Sequence, residues 1–291
     1  MPELPEVETV RRGLQPVLEG HRIVRAETRR LDLRVPFPAN FAARLKGRQV
    51  TRLWRRAKYL LAEMDNGETL VIHLGMSGRM SVHTPATRPE LGVHGLEIVR
   101  EVASSSHDHV VIETDAPAQI VFTDPRRFGL MMLIETKLLG AHPLLASLGP
   151  EPLSKKLNPA YLDTAFKKKR TPIKSALLDQ RVIAGVGNIY ACEALFRAGV
   201  SPKRLAINVH LKSLDALAIS IKAVLREAIA AGGSSLRDHK RVNGELGNFQ
   251  HNFAVYGREG QPCPAGCGSG STIKRIVQAG RSTFYCPRCQ K

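Results

Sequence analysis

Residues 263–289 read CPAGCGSGSTIKRIVQAGRSTFYCPRC, and this stretch carries the strongest fold signal in the sequence. Four of the chain's five cysteines stand here as two close pairs separated by a longer segment. Two such pairs can bring four thiolates around one tetrahedral zinc ion, which organises a segment too small to fold by hydrophobic burial alone. A reduced set of core cysteines would not explain the clustering. We therefore predict one structural zinc ion, bound by Cys263, Cys267, Cys286 and Cys289.

The segment between the two cysteine pairs, STIKRIVQAGRSTFYC, predicts a β-hairpin, because β-branched and aromatic residues flank a Gly-containing turn. Ala279, Gly280 and Arg281 would lie near its tip, where a guanidinium suits contact with phosphate. The fifth cysteine, Cys192, stands alone in NIYACEALF and is most simply a buried small apolar residue.

The composition is strongly basic. The 291 residues include 43 Lys and Arg against 26 Asp and Glu, a formal net charge of +17. Basic pairs are spread along the whole chain, which favours a polyanionic partner, most simply nucleic acid. Isolated basic pairs are also usual on the surface of a plain soluble enzyme, so charge alone leaves both classes open.

Membrane and export signals are not evident in the sequence. Charges interrupt the first twenty positions, and no apolar run approaches the roughly eighteen residues that a membrane span needs. We expect an intracellular protein of cytoplasmic, nucleoid-associated location, without a membrane partner and monomeric by default.

The first ten residues, MPELPEVETV, predict a helix start. A proline at the beginning, acids in the first turn and the apolar stripe of Val7, Val10 and Leu14 are typical of one. Taken alone, this pattern needs no functional explanation.

Short β-type runs follow at residues 50–82 and 109–135, among them TLVIHLGM, HVVIET, QIVFTD and LMMLIE. Gly, Asp and Pro separate them, so we expect antiparallel sheets behind the N-terminal helix. Residues 83–108 are polar and glycine-containing and predict a long loop or insertion, to which we assign no role.

After GPEPLS at residues 149–154 the pattern turns helical. Thr171-Pro172 and Ser201-Pro202 are each typical of a cap followed by proline at the first helical position. Gly199 and Gly232-Gly233 are typical helix stops. One buried helix face is predicted by the spacing of Leu211, Leu214, Ala218, Ile221, Val224, Leu225 and Ala228.

In RVIAGVGNIYACEALFRAG, two glycines and Asn188 come immediately before a predicted helix. Exposed amides at such a helix start can hold a phosphate, whereas Asn188 can equally be the helix cap. The local pattern leaves both readings open.

Seven motifs together resemble one family, formamidopyrimidine-DNA glycosylase, over nearly the whole chain. They are PELPEVET (2–9), RRAKYLL (55–61), HLGMSG (73–78), TDPRRFG (123–129), GVGNIYACEALF (185–196), VYGR (255–258) and FYCPRCQK (284–291). The related endonuclease VIII enzymes typically begin PEGPE, so Leu4 favours the first family.

The resemblance implies an α+β fold in three parts: an N-terminal catalytic helix with an antiparallel β-sandwich at 2–148, a helix-two-turns-helix DNA-binding domain at 149–250, and a zinc finger at 251–291. It implies a bifunctional glycosylase and AP lyase that excises oxidised purines, 8-oxoguanine and formamidopyrimidines, from damaged double-stranded DNA. The two alternatives are an endonuclease VIII-type enzyme for oxidised pyrimidines and a non-catalytic zinc-containing DNA-binding protein.

For catalysis, the resemblance implies that the methionine is removed and that the amine of Pro2 is the nucleophile. Glu3 would protonate the opening sugar ring, and Lys58 would donate a proton around β-elimination and hold phosphate. Arg281 corresponds to the arginine assigned to the second elimination, although a guanidinium is a poor acid and phosphate positioning suits it better. Glu6 would contact the damaged nucleotide.

For DNA binding, the resemblance implies that three side chains replace the extruded base. Met76 would fill the void, Phe128 would wedge the stack, and Arg126 would face the orphaned partner, preferably cytosine. The segment Ser234–Phe249 would be a lid over the extruded base. Further DNA or phosphate contacts are expected from His73, His107, Lys169, Lys174 and Asn188.

Two features depart from the family pattern. Cys263 and Cys267 are three residues apart instead of the usual two, with additional residues in the hairpin, which affects the placement of Arg281. The loop before His107 is longer than usual.

Overall fold

The structure, a computed structural model, describes residues 2–84, 105–234, 242 and 247–291. Most of the predicted loop at 83–108 and of the predicted lid at 234–249 lies outside these residues. The chain divides into two compact units. The first contains Pro2, the described part of 6–142, Val242 and Gly247, and the second contains Glu3–Pro5, Pro143–Ser234 and Asn248–Lys291. The domain limits 2–148, 149–250 and 251–291 stay predictions.

The first unit is a β-sandwich with one long helix, as the sequence predicts. Its helices are α1 (Leu4–Leu18, whose first two residues count with the second unit) and α2 (Phe41–Leu45). Its strands are β1 (Ile23–Thr28), β2 (Val50–Arg56), β3 (Tyr59–Met64), β4 (Glu68–His73), β5 (Arg79–His83), β6 (Asp108–Thr114), β7 (Ala118–Thr123) and β8 (Leu130–Glu135). The described strands form two four-stranded antiparallel sheets, in the orders β1-β6-β7-β5 and β2-β3-β4-β8.

One hydrophobic core joins both sheets to α1, and this makes the arrangement a sandwich. The stripe predicted from Val7, Val10 and Leu14 is buried, so the predicted N-terminal helix is confirmed, although it begins at Leu4, two residues after Pro2. Side chains of the two sheets meet this stripe in the same cluster, among them Leu60, Ile72, Ile112 and Phe122.

The second unit is helical. Its helices are α3 (Pro143–Ala146), α4 (Pro159–Phe166), α5 (Ile173–Leu178), α6 (Asn188–Arg197) and α7 (Leu211–Ala230), with short 3-10 turns at Ala206–Asn208 and Phe249–Asn252. Gly199 and Gly232 have φ angles of 66° and 76°, so both predicted helix stops are confirmed. The predicted face of α7 is buried except for Leu211, which is exposed in the first turn. None of the helices among the described residues is long and apolar enough to cross a membrane.

The expected helix start at Ser201-Pro202 is wrong. The segment forms a turn closed by a hydrogen bond from the Arg204 amide to the Ser201 carbonyl oxygen. Leu205 then pairs with Pro172, and the Ile173 amide donates to the Arg204 carbonyl oxygen. Pairing with the segment before α5 takes the backbone groups that a helix would have used.

The predicted hairpin is present as β9 (Lys274–Gln278) and β10 (Arg281–Tyr285). Ala279 and Gly280 form its turn with φ angles of 47° and 70°, the left-handed pair that a two-residue hairpin turn requires. Arg281 is therefore the first residue after the tip and is exposed.

Two isoleucines of α7 give a matched test of this packing. Ile221 is 1% exposed, whereas Ile219 on the opposite face is 61% exposed. Ile221→Ala should lower the free energy of unfolding by about 3 kcal/mol, because it leaves a cavity in the core. Ile219→Ala should change it by no more than about 0.5 kcal/mol. Urea unfolding followed by circular dichroism measures both, and equal losses would contradict this orientation of α7.

Candidate functional site

The four clustered cysteines form a metal site. Their Sγ atoms all lie within 4.8 Å of one another. The distances are 3.6 Å from Cys263 to Cys289 and 3.5 Å from Cys267 to Cys286. Tetrahedral zinc with bonds of about 2.3 Å places its sulfur ligands about 3.8 Å apart, so the four thiols fit one zinc ion. The unusual three-residue spacing therefore does not prevent the site from closing.

The fifth cysteine is not one of the four clustered thiols and is a buried apolar residue, as predicted, packed in the same hydrophobic cluster as Cys263 and Cys286. Cys192 is buried in α6, and burial raises the pKa of its thiol to about 11. It is therefore a neutral side chain at cellular pH.

The hairpin strand that begins with Arg281 is anchored by a buried lysine. Lys174 of α5 is 0% exposed, and its Nζ donates to the carbonyl oxygen of Ser282 at 3.1 Å and to Oγ1 of Thr283 at 2.7 Å. Burial lowers the pKa of Lys174. The amine thus holds the residues next to Arg281 from inside the unit, and its contact with phosphate stays a prediction.

Asn188 makes tertiary contacts instead of capping α6. The N-cap is Gly187, and Nδ2 of Asn188 donates to the Ser282 carbonyl oxygen at 2.9 Å and to the Tyr256 hydroxyl at 3.3 Å. Its Oδ1 is buried without a hydrogen-bond partner among the described residues. This side chain therefore joins the start of α6 to the hairpin and to Tyr256 of the VYGR motif.

A buried carboxylate holds the VYGR segment, and the sequence interpretation missed it. Glu193 of α6 accepts the backbone N–H groups of Ala254, Val255 and Tyr256 at 2.8, 3.0 and 2.8 Å. The sequence does contain a signal for this role, namely an acid within the apolar run YACEALF. An acid in such a run is expected to be buried, and a buried carboxylate needs hydrogen-bond donors.

The predicted general acid is held at a helix start. Oε1 of Glu3 accepts the backbone N–H of Ile189 in the first turn of α6, at 3.1 Å, where the helix dipole favours negative charge. The Leu4 amide donates to the Gly185 carbonyl oxygen at 3.2 Å. A Cβ on Gly187 would lie 2.2 Å from the carboxyl carbon of Glu3, so only glycine fits there. The Glu3 carboxylate of the PELPE motif thus occupies space that only the glycine of the GVGN motif leaves open. This contact fixes the residue that follows Pro2.

In the first unit, Lys58 lies near His73. Lys58 is buried in the turn between β2 and β3 and is not an exposed lysine on a strand. Nδ1 of His73 accepts the Gly75 N–H at 3.0 Å, so the neutral ring carries its proton on Nε2. Burial, followed by the charges of Lys58 and Arg34, lowers the pKa of His73 to about 4. Near neutral pH, the ring is therefore an uncharged hydrogen-bond donor.

The three predicted base-replacing side chains lie on two adjacent loops of the first unit. Met76 is 42% and Phe128 43% exposed, so neither is a core residue. The guanidinium of Arg126 lies 5.0 Å from the Phe128 ring centroid. A Cβ on Gly75 would lie 2.3 Å from the Phe128 carbonyl carbon, so the loops touch through a glycine. His107 is exposed before β6, and Glu6 is buried in α1.

Lys169 is paired with an acid in the second unit. Its Nζ lies 3.0 Å from Oδ2 of Asp179, and Arg181 binds the same carboxylate. A hydrogen bond from Arg181 holds the pKa of Asp179 well below its usual range. Lys169 would have to exchange this partner for a phosphate, so its contact with DNA stays a prediction.

Three family models and many curated relatives match this chain, and together the models include both units. Matching profiles are Formamidopyrimidine-DNA glycosylase N-terminal domain at residues 1–131, Formamidopyrimidine-DNA glycosylase H2TH domain at 148–240 and Zinc finger found in FPG and IleRS at 260–291. The formamidopyrimidine-DNA glycosylase of Dinoroseobacter shibae is 56% identical over 292 residues, and that of Roseobacter denitrificans 55% over 291, each alignment covering 100% of both chains.

Solved structures agree with this result. The crystal structure of the MutM (Fpg) protein of Thermus thermophilus has a TM-score of 0.83 and 38% identity, covering 99% of this chain and 98% of that one. The complex of Lactococcus lactis Fpg with DNA containing an abasic site has a TM-score of 0.85 and 31% identity, covering 100% of each chain. A β-sandwich, an H2TH unit and a four-cysteine hairpin define a zinc-finger-bearing H2TH protein. The chain belongs to the formamidopyrimidine-DNA glycosylase family.

The zinc site is tested by comparing two cysteine variants. Cys289→Ser should lower the zinc content well below one ion per chain after dialysis, because three thiolates bind zinc less tightly than four. Cys192→Ala removes the cysteine outside the cluster and should retain one ion. Elemental mass spectrometry measures both, and full zinc content in Cys289→Ser would contradict the ligand assignment.

The protonation state of His73 is tested by NMR titration of its imidazole. The His73 signal is identified as the one that is missing from the spectrum of His73→Gln. The midpoint should lie near pH 4, below the ordinary 6.5, and Lys58→Met should raise it by removing a positive charge. Since the unfolded chain takes up this proton at higher pH, the group should destabilise the fold as the pH falls from 6.5 towards 4. A midpoint at or above 6.5 would contradict the buried, neutral ring.

Proposed function

We propose that this chain is a bifunctional DNA glycosylase and AP lyase that excises oxidised purines, 8-oxoguanine and formamidopyrimidines, from damaged duplex DNA. Family membership supports the reaction class. Solved relatives include Lactococcus lactis Fpg in complexes with DNA containing Fapy-dG or an abasic site. The observation that carries the proposal is the position of Glu3, whose carboxylate is fixed at the start of α6 immediately after the proposed nucleophile, Pro2.

The nucleophile is the imino group of Pro2 after removal of Met1. A terminal amine has a reference pKa of about 7.7 to 8.0, so a useful fraction is neutral at cellular pH. The nitrogen attacks the anomeric carbon, the bond to the damaged base breaks, and the base leaves with the bonding electrons. The proton of the attacking amine passes to the Glu3 carboxylate, which donates it to the sugar ring oxygen as the C1′–O4′ bond breaks, leaving a cationic iminium between Pro2 and the sugar. Its Cα is about 3.8 Å from that of Pro2 across a trans peptide, which places the acid next to the nucleophile.

Strand cleavage follows from the same covalent intermediate. A proline imine has no N–H to lose and is permanently cationic, so it withdraws electrons from the neighbouring sugar carbons and acidifies their protons. Loss of those protons expels the 3′ and then the 5′ phosphate by β- and δ-elimination. Lys58 and Arg281 are proposed to hold the phosphates, with Lys58 also transferring a proton. No step requires zinc, whose proposed role is to organise the hairpin that presents Arg281.

Damaged DNA is the proposed partner, and the charge of +17 supports binding to its phosphates. Met76 and Phe128 enter the stack where the damaged base leaves it, and Arg126 faces the orphaned partner. His73 is suited to hydrogen-bond a phosphate through Nε2–H without carrying charge. Asn188, His107, Lys169 and Lys174 are proposed as further contacts. A monomeric state and a cytoplasmic, nucleoid-associated location remain predictions.

The chemistry is tested by comparing two forms of the chain that differ only at the N-terminus. The form beginning at Pro2 should become covalently trapped on an 8-oxoguanine duplex by borohydride, because reduction fixes the iminium. A form with one additional residue before Pro2 should bind the duplex without being trapped, since its proline nitrogen is an amide. Denaturing gels of labelled DNA measure the adduct.

Three results would contradict parts of this proposal. Equal trapping of both forms would exclude Pro2 as the nucleophile. Binding without turnover by the free form would favour the non-catalytic DNA-binding protein. Faster release from thymine glycol than from 8-oxoguanine duplexes would favour the endonuclease VIII type.

A further inference from the structure

Asp124 is a buried acid at the start of the loop that carries Arg126 and Phe128. It is 0% exposed and follows directly after β7. Its carbonyl oxygen accepts the Arg127 amide at 3.2 Å, which closes a tight turn, and Arg127 has a φ of 56°. The turn leaves the Asp124 side chain inside the protein and presents the next residues to solvent.

The two carboxylate oxygens of Asp124 bind different loops. Oδ1 accepts the hydroxyl of Ser77 at 2.6 Å, and Oδ2 accepts the backbone N–H of Gly129 at 2.7 Å. Ser77 follows Met76, and Gly129 follows Phe128. One buried group therefore fixes the residue next to each of the two exposed apolar side chains.

Ser77 also links the two loops through its own hydroxyl oxygen. Its Oγ donates to Asp124 and accepts the backbone N–H of Arg126 at 3.2 Å. The hydroxyl thus bridges the Met76 loop to the Arg126 loop. A buried polar group left without its hydrogen bonds here would be costly.

Glycine at Gly75 and Gly129 allows close packing of the two loops. Cβ atoms on Gly75 and Gly129 would lie 2.3 Å from the Phe128 carbonyl carbon and 2.7 Å from the Phe122 ring, respectively. The loops therefore pack backbone to backbone, with the Asp124 carboxylate and the Ser77 hydroxyl as the polar connection between them.

We propose that Asp124 is a positioning residue for base extrusion: through Ser77 and Gly129 it holds Met76, Arg126 and Phe128 as one preorganised surface. This proposal rests on the proposed function, because it assumes that these three side chains replace an extruded base. Opening a paired, stacked base costs free energy that the inserting groups must offset. Side chains that are already aligned lose little conformational freedom on insertion, whereas loosely held ones lose more.

The test uses Ser77→Ala, which removes only the bridging hydroxyl, and Asp124→Asn, which keeps the shape but replaces one acceptor oxygen by a donor. Excision from an 8-oxoguanine·cytosine duplex under single-turnover conditions should fall about tenfold or more in both variants, roughly the effect of losing one such hydrogen bond. Strand cleavage at a preformed abasic site should stay within about twofold of the unmodified chain, because no paired base has to be opened.

A second readout follows insertion directly. With 2-aminopurine placed beside the lesion, the unmodified chain should produce a fast fluorescence rise as the stack opens. Both variants should slow this rise while binding to the abasic duplex remains unchanged. If these groups served only the stability of the fold, the variants would lower the rates on both substrates to the same extent.

Thr114→Val is the matched control. Its buried hydroxyl donates to the Val17 carbonyl oxygen at 2.9 Å, at the opposite end of β6 from the base-replacing loops. This variant loses one buried hydroxyl from the same unit and should keep the unmodified rates on both substrates. Melting temperatures of all variants show whether each is folded at the assay temperature. If Asp124→Asn is unfolded there, the result for Ser77→Ala alone decides the proposal.

The possible outcomes separate the two proposals. If the unmodified chain neither excises 8-oxoguanine nor cleaves the abasic duplex, the proposed function is wrong. If it does both, the positioning role is overturned when Ser77→Ala keeps normal excision, when it loses both reactions equally, or when Thr114→Val shows the same selective loss.

Discussion

The contact between Glu3 and the start of α6 is the constraint on which the proposed chemistry depends. The Ile189 N–H binds the Glu3 carboxylate, and Gly187 leaves the space that this carboxylate occupies. Glu3 and Leu4, the two residues after Pro2, are therefore held by hydrogen bonds to backbone groups of residues 185–189. A nucleophile at a chain end is useful only if its position is reproducible, and this contact fixes the residue that follows Pro2.

The same physical device recurs in both units: a buried polar side chain fixes a backbone segment elsewhere in its own unit. Glu193 holds the segment with Tyr256, Lys174 holds the strand that begins with Arg281, and Asp124 holds the loops of Met76 and Phe128. Each buried group is satisfied by several hydrogen bonds, which stabilises a single arrangement.

The sequence predicts the layout of the fold well because the relevant signals are local. The stripe in α1, the β-type runs, the glycine stops and the cysteine spacing each depend on a few neighbouring residues, and the structure confirms them. Ser201 was misassigned because its segment pairs with Pro172, a distant backbone partner that no local pattern reveals. Asp124 and Glu193 were missed for the same reason, since the Ser77 hydroxyl and the backbone amides of residues 254–256 that they bind lie far away in the sequence. Roles of individual site residues came from the family resemblance, not from local chemistry.

The most direct test of the account is peptide mapping of the reduced covalent adduct. After borohydride treatment on an 8-oxoguanine duplex, nuclease digestion and trypsin, tandem mass spectrometry should find the sugar remnant on the peptide of residues 2–11, PELPEVETVR. Fragment ions should place the added mass on the nitrogen of Pro2. A remnant on Lys58 or on any other lysine would contradict the claim that the terminal imino group is the nucleophile.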